Sequence, residues 1–398
     1  MTGGVTGGVT GGVTWGAQAV IGAGWGDEGK GLLTDALARP ETLVVRFNGG
    51  AQAGHTVVTP DGRRHVFHGV GSGSFRGAAT FLSRFHVHNP LLHREEVAAL
   101  RGLGVQPQMV ADPRGMVTTP WDMMLNQMAE EARGAGRHGS CGLGLNETVT
   151  RTEAGFGLTA ADLAGGGLGD VLHGIRSRWV PQRLEALGLR PGAAWRARLE
   201  SAGVLGAFVD AASSFVAEVP LAADAIAAHA GPVLFEGAQG LLLDAEHRWF
   251  PHVTRSRTGL TNVAVLAAEA GIGALDVTYA TRAYATRHGA GPFPRETAVS
   301  YPDLTNVPNP WQGTLRFGHL DLDLLGEAVS ADMAACPLPV SARLAVTCVD
   351  QVGDAVGFWR ERALRTASPA ALLEEAQGLL GTPGVSSYGP TRDTLRGM

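Results

Sequence analysis

A glycine-rich segment near the N-terminus carries residue types that bind phosphate. Residues 24–30 read GWGDEGK and fit the spacing GxxxxGK between a predicted strand and a predicted helix. In that setting, backbone N–H groups and the N-terminus of the helix bind phosphate oxygens. Lys30 is followed by Gly31, whereas a standard P-loop has Ser or Thr there to bind Mg²⁺. The carboxylate of Asp27 is therefore the candidate metal ligand, and the segment predicts a site for the phosphates of a nucleotide.

Lys30 is the only lysine in the chain. The 398 residues include 32 Lys and Arg, and the other 31 of these are arginines. A GC-rich genome favours arginine codons, so the bias concerns the whole chain. In a tight phosphate loop, however, a compact ammonium fits where a planar guanidinium does not. We interpret Lys30 as an active-site residue, and the alternative is a glycine-rich turn with a surface lysine.

The overall composition argues against several classes of protein. A formal net charge of −5 without runs of Lys or Arg does not suit a dedicated nucleic-acid binder, because neutralising phosphates needs a basic face. Cys141, Cys336 and Cys348 are far apart and predict neither a disulfide framework nor a CxxC metal pair. We see no 18-residue apolar run typical of a membrane span and no secretory signal. We therefore expect a cytoplasmic protein with no membrane or nucleic-acid partner.

Short apolar runs alternate with helical patterns along the chain. Strands are predicted at 17–24, 42–47, 233–240, 275–287 and 343–350. Helices are predicted in the Ala/Leu-rich stretches 119–134, 194–229 and 367–380. This alternation indicates an α/β fold with a mainly parallel, P-loop-like central sheet flanked by helices, and with ligand loops at the carboxyl ends of the strands. Residues 17–398 are predicted to form a single domain after a flexible glycine-rich extension at 1–16, in which TGGV occurs three times.

Several longer motifs resemble the adenylosuccinate synthetase family. The phosphate segment lies in VIGAGWGDEGKG and is followed at 44–56 by VVRFNGGAQAGHT, and both are similar to signatures of that family. The similarity continues in order through GSCGLG at 139–144, LFEGAQGLLLD at 234–244, FPHVT at 250–254, TRHGAGPFPRE at 286–296, TCVD at 347–350 and SYGPTR at 387–392. GSCGLG and TCVD are the weaker matches among them. The resemblance implies an adenylosuccinate synthetase-like fold over most of the chain.

The resemblance also implies a reaction. The family joins L-aspartate to C6 of a purine nucleoside monophosphate: a nucleoside triphosphate phosphorylates O6 of the base, and the aspartate amine then displaces phosphate. By resemblance, Asp27 is the general base for the N1 proton and, with the carbonyl of Gly54, a ligand of Mg²⁺. His55 is the acid that donates to the phosphoryl oxygens. Lys30 stabilises the transferring group, and Gln239 lies near the O6 phosphate.

Three groups of binding residues follow from the same resemblance. Contacts to the nucleoside triphosphate are expected from Gly26, Glu28, Gly29, Lys30, Gly31, Gly54, His55, Thr56, Asp350, Ser387 and Gly389. Contacts to the purine monophosphate are expected from Gly24, Asp27, Asn48, Gln52, Ala53, Ser140, Cys141, Arg151, Gln239 and Thr254. Contacts to aspartate are expected from Arg287, His288, Gly313, Thr314 and Arg316.

The chain departs from the family where aspartate should bind. Positions 314–315 are Thr and Leu, whereas the family has arginines there that hold the aspartate carboxylates. Arg316 is the arginine that remains in this stretch and can pair with a carboxylate in a bidentate way. Arg287 and His288 are expected to share the task.

Other departures lie around the nucleotides. Residues 140–141 are Ser and Cys in place of two threonines near the substrate phosphate. The arginine that the family lends across its dimer interface falls at Gly155, and Arg151, one turn away, is expected to replace it. Cys348 replaces a lysine that contacts the guanine of GTP. Gly24 replaces a glutamine and is expected to open space beside the purine.

These departures favour the phage-type 2-aminoadenylosuccinate synthetase branch of the family, which uses dGMP. A widened pocket beside Asp27 would admit a 2-amino group, and a carboxylate can accept from both N1–H and N2–H of guanine. Without the lysine, ATP or dATP suits the triphosphate site at least as well as GTP. Asp27 itself points the other way, because many members of that branch carry Ser at this position.

Two alternatives remain open at this point. The first is a conventional adenylosuccinate synthetase that uses IMP and GTP. The second, of another class, is a P-loop-like nucleotide-binding paralogue without ligase activity. A homodimer is implied by the family resemblance alone.

Overall fold

The computed structural model describes residues 16–306 and 311–398. The predicted extension at 1–16 lies, apart from Gly16, outside the described residues. The strands are β1 (Gly16–Gly22), β2 (Leu43–Arg46), β3 (His55–Val58), β4 (Arg64–Phe67), β5 (Ala79–Leu82), β6 (Met109–Ala111), β7 (Val233–Glu236), β8 (Ala274–Arg282), β9 (Ala285–His288), β10 (Leu315–Gly318), β11 (Leu320–Asp321), β12 (Val340–Thr347), β13 (Val356–Arg360), β14 (Ala363–Ala367), β15 (Val385–Ser387) and β16 (Leu395–Arg396). The α-helices are α1 (Lys30–Leu37), α2 (Pro90–Gly102), α3 (Pro120–Arg133), α4 (Leu145–Glu153), α5 (Ala160–Ala164), α6 (Leu168–Gly174), α7 (Val180–Ala186), α8 (Ala193–Leu199), α9 (Ala202–Glu218), α10 (Leu260–Glu269), α11 (Leu322–Ala335) and α12 (Pro369–Gly378).

A nine-stranded sheet forms the centre of the fold. Its strands lie in the order β16-β15-β12-β8-β1-β7-β2-β5-β6. The pairs are parallel except for β15 with β16, which is antiparallel. The central strands β2 and β7 read LVVR and VLFE and are buried at every position, as expected of parallel strands covered on both faces. The predicted α/β fold with a mainly parallel central sheet is confirmed, whereas the single domain at 17–398 stays a prediction.

Two predicted elements are divided in the structure. The predicted strand 275–287 becomes β8 and β9, because the chain leaves the sheet at Ala283 and Tyr284, and β9 pairs antiparallel with β10. The predicted helix 194–229 becomes α8 and α9. Ser201 separates them and caps α9 by accepting from the backbone N–H of Val204, and α9 ends at Glu218, two residues before Pro220.

One helical stretch is apolar enough to be compared with a membrane span. By length and composition alone, Ala193–Glu218 could cross a membrane. In the fold it is interrupted at Ser201, and its residues Phe208 and Phe215 are buried in a core cluster that also contains Trp179. Of the 18-residue apolar window within this stretch, 28% is buried in the fold.

The parallel strands bring distant motifs to one edge of the sheet. The carboxyl ends of β1, β7, β8 and β12 are neighbours there. Thr347, at the end of β12, donates its hydroxyl to the carbonyl of Glu28 at 3.1 Å. The loops after these four strands therefore surround the segment that contains the lone lysine.

Candidate functional site

The loop after β1 is held in shape by the carboxylate of Glu28. Its Oε1 accepts from the backbone N–H groups of Gly24 at 3.1 Å and Gly26 at 2.7 Å. Its Oε2 lies 2.6 Å from Nζ of Lys30, and both side chains are buried. Helix α1 begins at Lys30, directly after Gly29, which has a φ of 83°. The ammonium is thus held at the N-terminus of a helix, where phosphate anions bind.

Gly31 is required by close packing against strand β3. A Cβ placed on Gly31 would lie 2.9 Å from the carbonyl oxygen of Thr56 and 3.1 Å from His55. The Ser or Thr of a standard P-loop therefore does not fit at this position, and a metal at this site needs another protein ligand.

Asp27 presents its carboxylate to a cavity beside the loop. Its φ of 64° is a left-handed conformation that Asp and Asn tolerate better than most residues. The backbone carbonyl of Asp27 accepts from Nε of Arg282. Its Oδ2 lies 3.8 Å from Nε2 of His288, and within 16–306 and 311–398 we find no group that hydrogen-bonds to this carboxylate. The side chain is about 20% exposed, so it is open to a ligand.

His55 lies beside Lys30's helix and is paired with a buried glutamate. Its Nδ1 is 2.6 Å from Oε1 of Glu236, at the end of β7. Burial lowers the pKa of His55 to about 4, with smaller lowering effects of Arg46 and Lys30 and an opposing effect of Glu236. The ring is therefore neutral at pH 7 until a ligand changes its surroundings.

Gln239 has a conformation that is unusual for its residue type. Its φ is 58°, and its buried Oε1 has no hydrogen-bond partner in the described part of the chain. A non-glycine residue in this region is often part of a binding site. Gln239 lines the cavity, while its Oε1 is itself inaccessible to solvent in this arrangement.

These groups surround a cavity of about 360 Å³. It is lined by many of the residues predicted from sequence, namely Gly26, Asp27, Glu28, Gly29, Lys30, Gly31, Gln52, Ala53, Gly54, His55, Thr56, Ser140, Cys141, Gln239, Thr254, Arg287 and His288. The structure thus brings together residues of the phosphate loop, of the AGHT segment and of four later motifs. Their individual roles stay predictions.

The segment 139–144 is tied to α3 and forms another part of the cavity wall. Asn126 donates to the hydroxyl of Ser140 at 2.7 Å, and the backbone N–H of Gly139 donates to Glu130 at 2.9 Å. Burial raises the pKa of the Cys141 thiol, which therefore stays protonated. Ser140 and Cys141 offer neutral groups to a phosphate.

Sequence reasoning missed Arg282, which also lines the cavity. Besides Asp27, its guanidinium binds the hydroxyl of Tyr284 at 3.1 Å and Oδ2 of Asp303 at 2.9 Å. It therefore links the phosphate loop to the segment around residue 303. Its place at the carboxyl end of a buried strand next to β1 was the signal that could have identified it.

Asn48 and Gly24, which were predicted to contact the purine monophosphate, do not line this cavity. The side-chain amide of Asn48 is buried and exchanges two hydrogen bonds with the backbone of Ala238, at 2.9 and 2.7 Å. It positions the loop that carries Gln239. Gly24 lines a separate cavity of about 20 Å³ together with Trp25, because its N–H is turned toward Glu28. The effect of Gly24 on the space beside a purine therefore stays a prediction.

Arg151 is also placed differently from the prediction. Its guanidinium pairs with Asp122 at 2.9 Å and donates to the carbonyls of Val117 and Phe156 at 2.7 and 2.6 Å, and the side chains of the ion pair are fully buried. All of its donor nitrogens are engaged within its own chain. In this arrangement Arg151 has a structural role in its own chain, and its contact across a subunit interface stays a prediction.

Replacing Arg151 by alanine is expected to lower the free energy of unfolding by about 3–5 kcal/mol, because Asp122 is left as a buried, unpaired charge. Urea denaturation measures the change. The control is Arg255→Ala, which breaks the exposed pair with Glu153 and is expected to cost less than about 1 kcal/mol. Equal stability of the Arg151 variant and the control would contradict a structural role.

The predicted aspartate contacts divide into two groups. Arg316 is paired with Glu296 and donates to the carbonyls of Gly289 and Gly291, while Gly313 and Thr314 do not line the main cavity. The prediction that Arg316 replaces the missing arginines is therefore not supported, because its guanidinium is already engaged.

Arg287 is the better placed of the predicted cations. It lines the cavity, is 1% exposed and donates to the carbonyls of His252 at 2.7 Å and Pro292 at 3.0 Å. Burial, followed by the charge of Arg316, lowers the pKa of Arg287 to about 10. It remains charged at pH 7, and among the described residues it has no carboxylate partner. An anionic ligand would supply one.

Asp350, Ser387 and Gly389 lie beside the phosphate loop rather than in the main cavity. Asp350 is exposed in the turn after β12, and Ser387 ends the neighbouring strand β15. The Ser387 hydroxyl donates to the carbonyl of Gly389 at 2.7 Å, which fixes the turn. Their position at the same sheet edge agrees with a contact to the distal part of a nucleotide.

A metal would depend on few protein ligands here. In the described residues, no group of three or more His, Cys, Asp or Glu is arranged to hold a metal ion. Asp27 and Gly54 both line the cavity and offer one free carboxylate and one carbonyl. Mg²⁺ is commonly bound by one or two carboxylates together with substrate phosphates and waters, and this donor set fits that pattern.

Comparisons with known proteins identify similar chains. The family model described as adenylosuccinate synthetase matches residues 19–336. The adenylosuccinate synthetase of Chromohalobacter salexigens is 34% identical over 290 residues, which cover 70% of this chain and 64% of that protein. The enzyme of a Synechococcus strain is 35% identical over 291 residues, which cover 71% and 64%. The alignments thus span less than two thirds of the length of these relatives.

Two solved structures are similar over nearly the whole chain. The fully ligated adenylosuccinate synthetase from Plasmodium falciparum has a TM-score of 0.74 and 16% identity, covering 95% of this chain and 99% of that one. The succinoaminodeoxyadenylate synthetase of cyanophage S-2L, bound to dGMP and to dATP as an energy donor, has a TM-score of 0.57 and 16% identity, covering 96% and 95%. At this identity the similarity shows the fold alone.

Proposed function

Because the chain belongs to the adenylosuccinate synthetase family, we propose that it is a carbon–nitrogen ligase that joins L-aspartate to C6 of a purine nucleoside monophosphate. The observation that carries the proposal is the single cavity lined by Asp27, Lys30, His55 and Gln239. It combines a free carboxylate, an ammonium, an imidazole and an unpaired amide. Such groups can remove a proton from a purine and stabilise the transfer of a phosphoryl group.

In the first step, Asp27 removes the N1 proton of the purine, and O6 attacks the γ-phosphorus of the triphosphate while the diphosphate leaves. The carboxylate is suited to this role because it is open to the cavity and unpaired by hydrogen bonds. In the second step, the amine of aspartate attacks C6 and phosphate leaves with the former O6. Arg287, a buried cation at the cavity wall, is suited to hold a carboxylate of aspartate.

Lys30 and His55 would act on the phosphoryl group. In the free protein the ammonium is paired with Glu28, whose other oxygen is held by two backbone N–H groups. An arriving phosphate adds a second anion beside the ammonium without requiring Glu28 to move. Mg²⁺, held by Asp27 and the Gly54 carbonyl, would supply charge neutralisation between the phosphates.

For the substrates, we propose dGMP with ATP or dATP, and a product for 2-aminoadenine synthesis. The support is the carboxylate of Asp27, which has two oxygens for N1–H and N2–H of guanine, and Cys348 in the place of a guanine-contacting lysine. IMP with GTP is the second candidate, favoured by relatives that are named adenylosuccinate synthetases, by the position of Gly24 outside the main cavity, and by Asp27 at a position where many members of the phage-type branch carry Ser. We also propose that the protein is a cytoplasmic homodimer. With dGMP as the substrate, that cytoplasm is the one of a phage-infected host cell.

A coupled phosphate-release assay tests these candidates. Aspartate is combined with IMP, dIMP, GMP or dGMP and with ATP, dATP or GTP. We expect aspartate-dependent release, fastest with dGMP and an adenine triphosphate. Release with IMP and GTP but not with dGMP would replace the first candidate by the second. Triphosphate binding without release for any combination would favour a nucleotide-binding paralogue without ligase activity.

A further inference from the structure

His55 and Glu236 form a buried pair that the predicted roles leave unexplained. The two residues are 181 positions apart in sequence, and Nδ1 of His55 lies 2.6 Å from Oε1 of Glu236. The imidazole is 6% exposed and the carboxylate is fully buried. Of the two residues, only His55 lines the main cavity. Any effect of Glu236 on a ligand must therefore pass through the histidine.

Glu236 is an ionised acceptor in this pair. Its Oε2 accepts from the backbone N–H of Ser72 at 3.0 Å and lies 3.7 Å from the guanidinium of Arg46, and its Oε1 accepts from the hydroxyl of Ser72. Burial alone would raise the pKa of Glu236, but Arg46, His55 and Ser72 together lower it to about 2. A carboxylate has no proton to donate, so the hydrogen of the contact must be on Nδ1 of His55.

We propose, on the basis of the proposed ligase function, that Glu236 is a positioning residue that keeps the proton of His55 on Nδ1 and leaves Nε2 to the phosphoryl group. With Nδ1 occupied, Nε2 is the nitrogen available to a ligand in the cavity. In the second step of the proposed reaction, Nε2 can accept the proton that the attacking amine of aspartate loses and deliver it to an oxygen of the leaving phosphate, without rotation of the ring.

The substitution Glu236→Gln distinguishes control of the His55 proton from a role in filling space alone. An amide has one accepting and one donating end, and the backbone N–H of Ser72 can only donate. The amide oxygen must therefore face that N–H in place of Oε2, and the amide NH₂ must face Nδ1 of His55. The substitution thus forces Nδ1 to become an acceptor and moves the imidazole proton to Nε2, while shape and volume are almost unchanged.

The first measurement is ¹⁵N NMR of histidine-labelled protein at pH 7 without ligands. The signal of His55 is assigned from its loss in His55→Gln. We expect the wild type to carry the proton on Nδ1 and Glu236→Gln to carry it on Nε2. A proton on Nε2 in the wild type would overturn the proposal, and this result needs only the assignment variant His55→Gln to fold, not Glu236→Gln.

The second measurement is steady-state kinetics. Glu236→Gln is expected to lower kcat by at least about 100-fold with KM for both nucleotides changed less than about threefold, because binding groups are retained and proton transfer is not. The control is Ser74→Ala, which removes a buried hydroxyl from the turn next to Ser72 without touching Glu236 and is expected to leave kcat unchanged. A folded Glu236→Gln with kcat within threefold of the wild type would overturn the proposal. An inactive wild type would instead refute the ligase function, and the NMR result would still decide the state of His55.

Discussion

Asp27→Asn is expected to lower kcat by about 10³-fold while the protein stays folded. An amide cannot take the N1 proton of the purine, and it removes the negative charge that a metal ion would need. Asparagine tolerates the left-handed φ of 64° as well as aspartate does, so the substitution isolates the carboxylate from backbone strain. Phosphate release gives the rate, and thermal unfolding by circular dichroism shows whether the fold is intact.

A second Asp→Asn change controls for the loss of one charge. Asp61 lies outside the cavity with its side chain 60% exposed, and Asp61→Asn is expected to leave kcat within about twofold of the wild type. If Asp27→Asn kept a rate within fivefold of the wild type, Asp27 would not be the general base, and the proton would have to leave by another route.

Lys30→Arg is expected to lower kcat by at least about 10²-fold, although both side chains are cations. Nζ of Lys30 is buried 2.6 Å from Glu28, whose carboxylate cannot move away without breaking its bonds to two backbone N–H groups. The surrounding loop is tightly packed, since even a Cβ on Gly29 would lie 3.0 Å from Thr347. The wider guanidinium must therefore displace either the loop or the phosphate.

The matched control is the reverse substitution, arginine to lysine, at a position on the protein surface. Arg101 pairs with Glu218 at 3.1 Å, both partly exposed, and Arg101→Lys is expected to change neither kcat nor stability measurably. Phosphate release by both variants is compared at saturating substrate. Full activity of Lys30→Arg would mean that the lone lysine reflects codon usage and not chemistry.

The central sheet and the phosphate loop could be predicted because their signals are local. A buried strand, a glycine-rich turn and a helix lie within residues 16–37, and the rule that parallel strands end at one edge brings the later motifs to them. The resemblance to the family implied that Gln239 and His55 belong to one site, and both line the same cavity. These predictions needed no knowledge of side-chain partners.

The partners themselves could not be predicted, because they lie far apart in sequence. Arg151 was expected at an interface, but a buried Asp122 on another helix engages it. Arg316 was expected to bind aspartate, but Glu296 is its partner. Glu236 lies in the motif LFEGAQGLLLD at 234–244, but its contact with Nδ1 of His55 forms only when the fold brings the two residues together.

The fate of O6 tests the ligase proposal most directly. IMP and dGMP carrying ¹⁸O at C6 are each incubated with aspartate and the triphosphate that supports turnover, and the released phosphate is analysed by mass spectrometry. If O6 attacks the γ-phosphorus and then leaves with it, one ¹⁸O appears in each phosphate released, and succinylated nucleotide forms in equal amount. Phosphate without ¹⁸O would mean that water attacks the triphosphate, and it would contradict a 6-phosphoryl intermediate in this cavity.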